Sequence, residues 1–351
     1  MNAHLRANLW LLGLTVLICC VLYPLTLWAI GQSVFPDKAS GSLVMDEGGK
    51  AVGSRLIAQP FNSDEYFRPR PSAASYNGGA SAGSNYGPNN PKLRYRVAQA
   101  LGPIVKYRSG PKKDQLAGPD IEKWFQQDRF QGKPHLVAQW AKRYPSSAQD
   151  WVKADKLNSE YVHAWQNVSI PHPHKELEEW RKENPDVSDP KSEDLAVPFF
   201  VSWSHMFPGT WPGTVEVQED GKTKKKIMPV KEDAYIQANF FDMWLQDNPH
   251  VELVEVPADM VMASGSGLDP HITLANAHYQ LDRVVDAWVK KTGGDPAKVR
   301  SAIEDLLKQK AAAPFGGLAG VKLINVLEIN LELPGVMKRL AKESGGNGGP
   351  A

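Results

Sequence analysis

Between Met262 and His271 the chain reads Ala263-Ser264-Gly265-Ser266-Gly267-Leu268-Asp269-Pro270, and this run holds the residue types best suited to chemistry. With glycines at 265 and 267, the backbone N–H groups of Ser264, Gly265, Ser266 and Gly267 could wrap an anion beside a helix starting at Pro270, where partial positive charge gathers. A structural turn, with Asp269 as the helix N-cap and Pro270 at the first helical position, accounts for the same residues. Ser264 or Ser266 served by His271 would make a tethered hydrolase, but the spacing supplies no clear carboxylate to orient the base. No Gly-x-x-x-x-Gly-Lys-Ser/Thr phosphate loop is present, so no residue is assigned a catalytic role. His172-Pro173-His174 with Glu176 offers zinc-ligand types. Alternating residues split by proline, without further ligands, fit an exposed loop better, and no metal is assigned.

The elements around the glycine-serine run can be read from pattern. A helix from Pro270 to about Lys291 would place Ala275, His278, Leu281, Val285 and Trp288 at helical spacing. After Gly293-Gly294-Asp295, a second helix is predicted over 296–310, and the alternation over 321–333 predicts a closing strand. Upstream, 41–45 and 51–58 flank Asp46-Glu47-Gly48-Gly49-Lys50 as a β-hairpin. Residues 66–91 are too rich in glycine, proline and asparagine for helix or central strand, and they read as a long, ordered loop. A helix then starts at Pro91 with Leu93, Val97, Ala100 and Leu101 on one stripe. These pieces make a small α+β domain.

Ahead of them, no Asp, Glu, Lys or Arg interrupts residues 7–34, and 9–30 is nearly all apolar. At about 1.5 Å per residue, that stretch crosses a bilayer core of ~30 Å. Trp10 and Trp28 suit the two interfaces, and Tyr23-Pro24 predicts a kink within the span. The apolar stretch is too long for a secretory leader, and Trp28-Ala29-Ile30 is no cleavage site. Arg6 before the span, against Asp37, Lys38, Asp46 and Glu47 after it, weakly favours a cytoplasmic N-terminus and a periplasmic body. No cysteine follows Cys20, so disulfides play no part in the body. A net charge of +1 with 23% charged residues argues against a nucleic-acid partner.

The middle of the chain is unusual: eight of the 11 tryptophans lie at 124, 140, 151, 165, 180, 203, 211 and 244. Aromatics at helical spacing between charges predict several short amphipathic helices around a second small core. A tryptophan-lined docking face for a subunit or lipid headgroups is the other reading. Lys222 to Lys226 reads as a solvated charge run in a turn beside Glu219-Asp220.

Several pieces recur in a recognisable order. They are the span with Tyr23-Pro24, Phe35-Pro36, Gly41-Ser42-Leu43, Gly53-Ser54, Leu56-Ile57, Gln59 with Phe61, and Tyr66-Phe67. Arg70-Pro71-Ser72-Ala73, Gly83-Ser84-Asn85, Gly87-Pro88, Ala263 to His271, Gln280, Arg283-Val284, Asn325-Val326-Leu327 and Asn330 follow. This set resembles the KdpC family, the C subunits of bacterial high-affinity, ATP-driven potassium transporters. Two departures stand out: Ala319-Gly320-Val321-Lys322 replaces a Gly-Glu-Pro-like turn, and 109–252 is an insertion that short members lack. The resulting organisation is 1–36 with one transmembrane helix, 37–108 and 253–335 as two parts of the α+β domain, 109–252 as a mainly helical insertion, and 336–351 as a flexible tail.

The resemblance implies an inner-membrane accessory subunit, not an enzyme by itself, needed for assembly and stability. Its partners would be a channel-like potassium-conducting subunit, a P-type ATPase subunit carrying the phosphorylated aspartate, and membrane lipid. Potassium is the transported ion, and no metal cofactor is implied. It also implies a catalytic-chaperone role that raises the pump subunit's affinity for ATP, with Ser264, Gly265, Ser266, Gly267 and Gln280 helping hold a nucleotide bound mainly by that partner. A periplasmic body would not meet cytoplasmic ATP, so the inferred topology and that role conflict. Pro24, Gly83, Ser84, Asn85, Gly87 and Pro88 are expected at a subunit contact or ion-entry loop. The alternative is a membrane-tethered envelope protein that binds glycan or peptide through the tryptophan-rich insertion.

Overall fold

The structure, a computed structural model, describes residues 3–46, 48–167, 175–219, 221–318 and 320–345. The chain forms two compact units, Met1–Asn85 with Pro257–Ala351, and Tyr86–Val256. The flexible tail expected over 336–351 is corrected in part: residues 336–345 continue a helix that buries Val336 and Met337, and those from 346 onward lie outside the described residues.

The first unit begins with an apolar helical stretch, Ala3–Val34, long enough to cross a membrane and wholly unburied within the chain. A kink is expected at Pro24, and what precedes that residue is a π-helical turn, Leu17–Leu22, between helices Ala3–Val16 and Tyr23–Val34. Proline has no N–H to return to the preceding turn, so the hydrogen-bond register shifts there. Three hydroxyls are satisfied within the stretch. The hydroxyls of Thr15, Thr26 and Ser33 donate to the carbonyls of Leu11, Leu22 and Ala29 at 2.7–2.8 Å.

Beyond it, Leu43–Met45 and Ala51–Ser54 pair antiparallel, as expected. Asp46 closes the turn by accepting from the backbone of Gly48 and Lys50, both at 2.9 Å. No helix or strand follows until Pro91. After the second unit the chain returns as a ribbon, His271–Thr273 on Leu323–Asn325, with helices Leu274–Thr292, Pro296–Lys310 and Val326–Gly345. Phe67, Leu281, Val285, Trp288, Ile303, Leu307, Ile324, Ile329 and Leu333 share its core.

Two expectations about this region are corrected. The helix predicted from Pro270 starts at Leu274, because residues 271–273 are taken up by strand pairing. Its N-cap is Thr273, whose hydroxyl accepts from the Asn276 N–H, and Asp269 caps nothing there. Ala275 and His278, placed on the inner stripe, are exposed, while Asn276, Ala277, Gln280 and Val284 are buried. The strand expected over 321–333 is only three residues long, and a 20-residue helix follows. Val326, Ile329, Leu333, Val336 and Met337 are all buried. Their 3–4-residue spacing is helical, and it outweighs the short apolar alternation that suggested a strand. The helix expected over 296–310 is found as Pro296–Lys310, capped by Asp295. Helix and strand together agree with the α+β class.

In the second unit, helices Pro91–Leu101, Gly118–Phe125, Leu136–Arg143, Pro145–Ala154, Lys156–Asn167, Lys175–Glu183, Ala196–Met206 and Ala234–Asp247 accompany a long hairpin, Trp211–Glu219 on Lys222–Val230. The Pro91–Leu101 helix buries Tyr95 and Ala98, a face turned from the predicted Leu93, Val97, Ala100 and Leu101 stripe. Lys222 to Lys226 belongs to a strand, which corrects the turn expected there. Lys224 and Lys226 cross the hairpin to Glu219 and hold its carboxyl below the usual carboxylate range, Lys226 most strongly. The lysines disguise a strand whose apolar anchor, Ile227, is buried.

The tryptophans form a core. Six of the eight are buried, and Trp151 and Trp180 are half-buried against that core, so the docking-face reading of these residues is set aside. Trp140 packs edge-on against Phe200 and Trp211 at ring distances of 5.1 and 5.0 Å, a preferred aromatic arrangement. Its indole N–H donates to the Tyr95 hydroxyl at 2.7 Å, and that of Trp203 donates to the Thr210 carbonyl at 3.2 Å. Each large ring is thus buried with its polar atom bonded. Trp140→Ala is expected to destabilise this unit by about 3–5 kcal/mol. Denaturant unfolding followed by amide hydrogen exchange within Tyr86–Val256 checks it.

Candidate functional site

The glycine-serine run and the irregular segment 55–85 are built as one piece within the first unit. The Ser266 carbonyl accepts from the Ala82 N–H at 3.0 Å and from the Ser81 hydroxyl at 3.1 Å. The Gly267 carbonyl accepts from the Ser72 hydroxyl at 2.5 Å, and the Leu268 carbonyl from the Ala58 N–H at 2.9 Å. Two glycines are required by close approach. Gly267 has φ +69°, and a Cβ there would lie 2.6 Å from the Ala82 carbonyl oxygen; at Gly83 it would lie 2.9 Å from that of Gly265. Ser264 is buried and its hydroxyl faces the Asp269 N–H at 3.5 Å, while the Ser266 hydroxyl accepts from the Leu268 N–H at 3.1 Å.

Of the four N–H groups expected to wrap an anion, that of Gly267 donates to the Ser264 carbonyl at 3.2 Å. Gly267, Leu268 and Asp269 give their N–H groups to Ser264 and Ser266 of the same turn. The helix whose positive end was to help begins at Leu274, not at Pro270. The turn reading accounts for these contacts without Asp269 as a helix cap.

Asp269 has another use that the spacing concealed. Its Oδ1 accepts from the His271 N–H at 3.0 Å and lies 3.0 Å from His271 Nδ1, with Arg70 3.6 Å from Oδ2. The His271 hydrogen bond, helped by the charge of Arg70, holds the Asp269 carboxyl below its usual range despite burial. An Asp two residues before a His was the available signal for this carboxylate–imidazole pair. Among the described residues neither Ser264 nor Ser266 bonds to His271, so no nucleophile completes the pair.

Gln280 sits on the buried face of the Leu274–Thr292 helix, and all its polar atoms are engaged. Its Oε1 accepts from the Arg68 N–H and from Arg283 Nη2, both at 2.8 Å. Its Nε2 donates to the Arg68 carbonyl at 3.0 Å and to Asn276 Oδ1 at 2.7 Å. Asn330, on the Val326–Gly345 helix, treats the preceding residue in the same way. It accepts from the Phe67 N–H at 2.9 Å and donates to the Phe67 carbonyl at 2.8 Å. Two side-chain amides therefore satisfy both backbone groups of two successive residues, as a neighbouring strand would. Arg283 reinforces the clamp by donating to the Asp64 and Tyr66 carbonyls; burial and then the charge of Arg68 lower it to about 10, so it stays charged at neutral pH. Asn330 and Arg283 were marked in the sequence only by family pattern, and their distant partners left no local signal.

Of the other expected residues, Pro24 lies in the apolar stretch just after the π-helical turn. Asn85 is left-handed at φ 52°, and the two units divide between Asn85 and Tyr86, within the 83–88 loop. His172, Pro173 and His174 lie outside the described residues, among which no group of three or more His, Cys, Asp or Glu is arranged to hold a metal.

The profile of the family described as "KdpC: K+-transporting ATPase, c chain" matches residues 5–119 and 228–334, more than half of the chain. The chain belongs to the KdpC family. The match contains the apolar stretch, the clamp on residues 67 and 68, and the glycine-serine turn; residues 120–227 fall outside it. A potassium-transporting ATPase KdpC subunit of Pseudomonas putida (strain GB-1) is 45% identical over 111 residues, 32% of this chain and 61% of the relative. That of Methanosphaerula palustris is 50% identical over 104 residues, 30% and 56% of the two chains. The KdpC subunit of Beijerinckia indica is 47% identical over 106, covering 30% and 53%. These alignments span between about half and three fifths of the relatives' lengths. The resemblance seen in the sequence is thus borne out.

If the two amides hold the 67–68 segment, Gln280→Met and Asn330→Leu should each cost about 1–3 kcal/mol by leaving buried backbone groups unpaired. The double variant should cost less than the sum, because releasing one residue frees its neighbour. Denaturation of the full chain in detergent measures both; unchanged stability in either single variant would disprove the clamp.

Proposed function

We propose that this chain is the non-catalytic accessory subunit of an ATP-driven potassium uptake complex, required for the channel-like and ATP-hydrolysing subunits to assemble and stay together. The observation that carries the reading is the ordered family match across both an apolar, membrane-length helix and the clamped body. The span anchors the chain in the inner membrane with its N-terminus cytoplasmic, and the body lies on the periplasmic side beside the channel-like subunit. Loop 83–88, packed by Gly83 onto the glycine-serine turn, contributes to that subunit contact or to ion entry. The envelope-binding alternative gains nothing from the family match.

In this reading Gln280 and the Ser264 to Gly267 turn shape the body and do not hold ATP. Support comes from Gln280, whose amide is consumed within the fold, and from the turn, whose N–H groups at 267–269 are already bonded. Any influence on the pump subunit's affinity for ATP would then act through assembly.

The test is to tag the C-terminus, solubilise membranes of potassium-limited cells in mild detergent, and identify what co-purifies. A channel-like subunit and a P-type ATPase should appear in comparable amounts, with potassium-stimulated ATPase activity at least about tenfold lower when this chain is absent, corresponding to at least ~1.4 kcal/mol. Recovery of the chain alone would refute the proposal. A photoreactive ATP analogue should label the ATPase subunit and leave Gln280 and the 264–267 turn unlabelled.

A further inference from the structure

Where the apolar stretch ends, the chain turns back instead of running on into solvent. The Phe35 N–H donates to the Gly31 carbonyl at 2.9 Å, and a single helical turn, Pro36–Ala39, follows. A Cβ built on Gly31 would lie 3.6 Å from that of Ala39, so this turn packs beside the helix about one turn short of its end. Gly31 is three residues past Trp28, a rise of about 4.5 Å. With Trp28 in the interfacial belt of a spanning helix, Ala39 is held within the polar layer of the bilayer, roughly 5–7 Å deep on each side.

The first hairpin is tied to that turn. The Ser42 N–H donates to the Asp37 carbonyl at 2.8 Å, and the Arg55 N–H to the Ser42 carbonyl at 3.0 Å. Arg55 Nη1 lies 3.6 Å from Asp37 Oδ2, and its Nε donates to Glu328 at 2.8 Å. The two faces of the hairpin differ. Val44 and Gly53, paired across the strands, are half-buried, and a Cβ on Gly53 would lie 2.8 Å from Leu327 Cδ2. Leu43 and Met45 face the other way. With Phe35 and Leu56 they are between 40% and 60% exposed. A ribbon packed on one face ordinarily carries polar residues on the other, and this one carries leucine and methionine. Two cations stand beside them: Lys38 Nζ lies 5.8 Å from the Phe35 ring centre, and Lys50 is exposed in the hairpin turn.

We propose that Phe35, Leu43, Met45 and Leu56 form an apolar foot that rests on the phospholipid surface where the span emerges, with Lys38 and Lys50 at headgroup phosphates. Apolar side chains at this depth leave water for the acyl boundary, while lysine stems lie along it and their ammonium groups stay among the phosphates. The foot rests on the reading of Ala3–Val34 as a membrane span. It adds a second, non-spanning contact with lipid that fixes the hairpin against the bilayer.

The test uses the full chain, with the subunits that co-purify with it, in lipid nanodiscs. An environment-sensitive fluorescent amino acid is placed singly at position 28, 43 or 45, and quenched by nitroxide-labelled phospholipid or by iodide in the water. Lipid quenching at 43 and 45 should reach at least about half of that at 28. Leu43→Asp should lower lipid quenching at 45 about threefold and leave position 28 unchanged. Undiminished quenching at 45 in that variant would overturn the foot. So would strong iodide quenching at 43 and 45 with lipid quenching confined to 28, which places the hairpin in water. Shielding of 43 and 45 from both quenchers would overturn it as well, by revealing a protein cover such as a partner subunit. Absence of lipid quenching at 28 would refute the span itself, and the foot with it.

Discussion

Everything distinctive about the first unit depends on how it satisfies the backbone of a segment with no regular structure. From residue 55 to 90 there is neither helix nor strand, yet Phe67 is almost fully buried in the core. Burying that ring brings its peptide groups out of water, where unpaired N–H and C=O groups are costly. The ribbon His271–Thr273 on Leu323–Asn325 pairs three residues with three, too little to accept another strand along its length. Gln280 and Asn330 supply the missing partners from two helices. The core can then close over Phe67, and the chain beyond it reaches the glycine-serine turn in a defined register.

The same constraint operates with opposite consequences in the apolar stretch. There a helix can satisfy its backbone groups within itself, as lipid requires, and the π-helical turn before Pro24 shifts that register by one residue. In the body the irregular segment is satisfied from other elements, with the carbonyls of Ser266, Gly267 and Leu268 each taking a hydrogen bond from it. In the stretch the π-helical turn accommodates Pro24 by shifting the hydrogen-bond register, with the Tyr23 N–H donating to the Ile18 carbonyl.

The second unit follows a different logic. Residues 120–227, outside the family match, bring seven of the eight mid-chain tryptophans and a nine-residue-stranded hairpin. Trp140, Trp211, Phe200 and Phe240 meet within about 6 Å, burying large apolar area in little sequence. Helices Pro91–Leu101 and Ala234–Asp247 flank the added segment and share its core: Tyr95 receives the Trp140 N–H and donates to Asn239.

The sequence by itself determined whatever depends on neighbours a few residues away. The apolar stretch is legible from composition, the helix Pro296–Lys310 from its Asp-Pro start, and the first hairpin from its Asp-Gly-Gly turn. The family was legible because its motifs keep their order. Tertiary structure decided the rest. The ribbon partner of residues 271–273 lies some fifty residues onward, and it displaced the helix start that Asp269-Pro270 suggested. Phe67 and Asn330 are 263 residues apart, and Arg68 and Gln280 are 212 apart. Caps, turns and periodicity act over one or two turns of chain, whereas a buried amide chooses its partner only after packing has brought the two together.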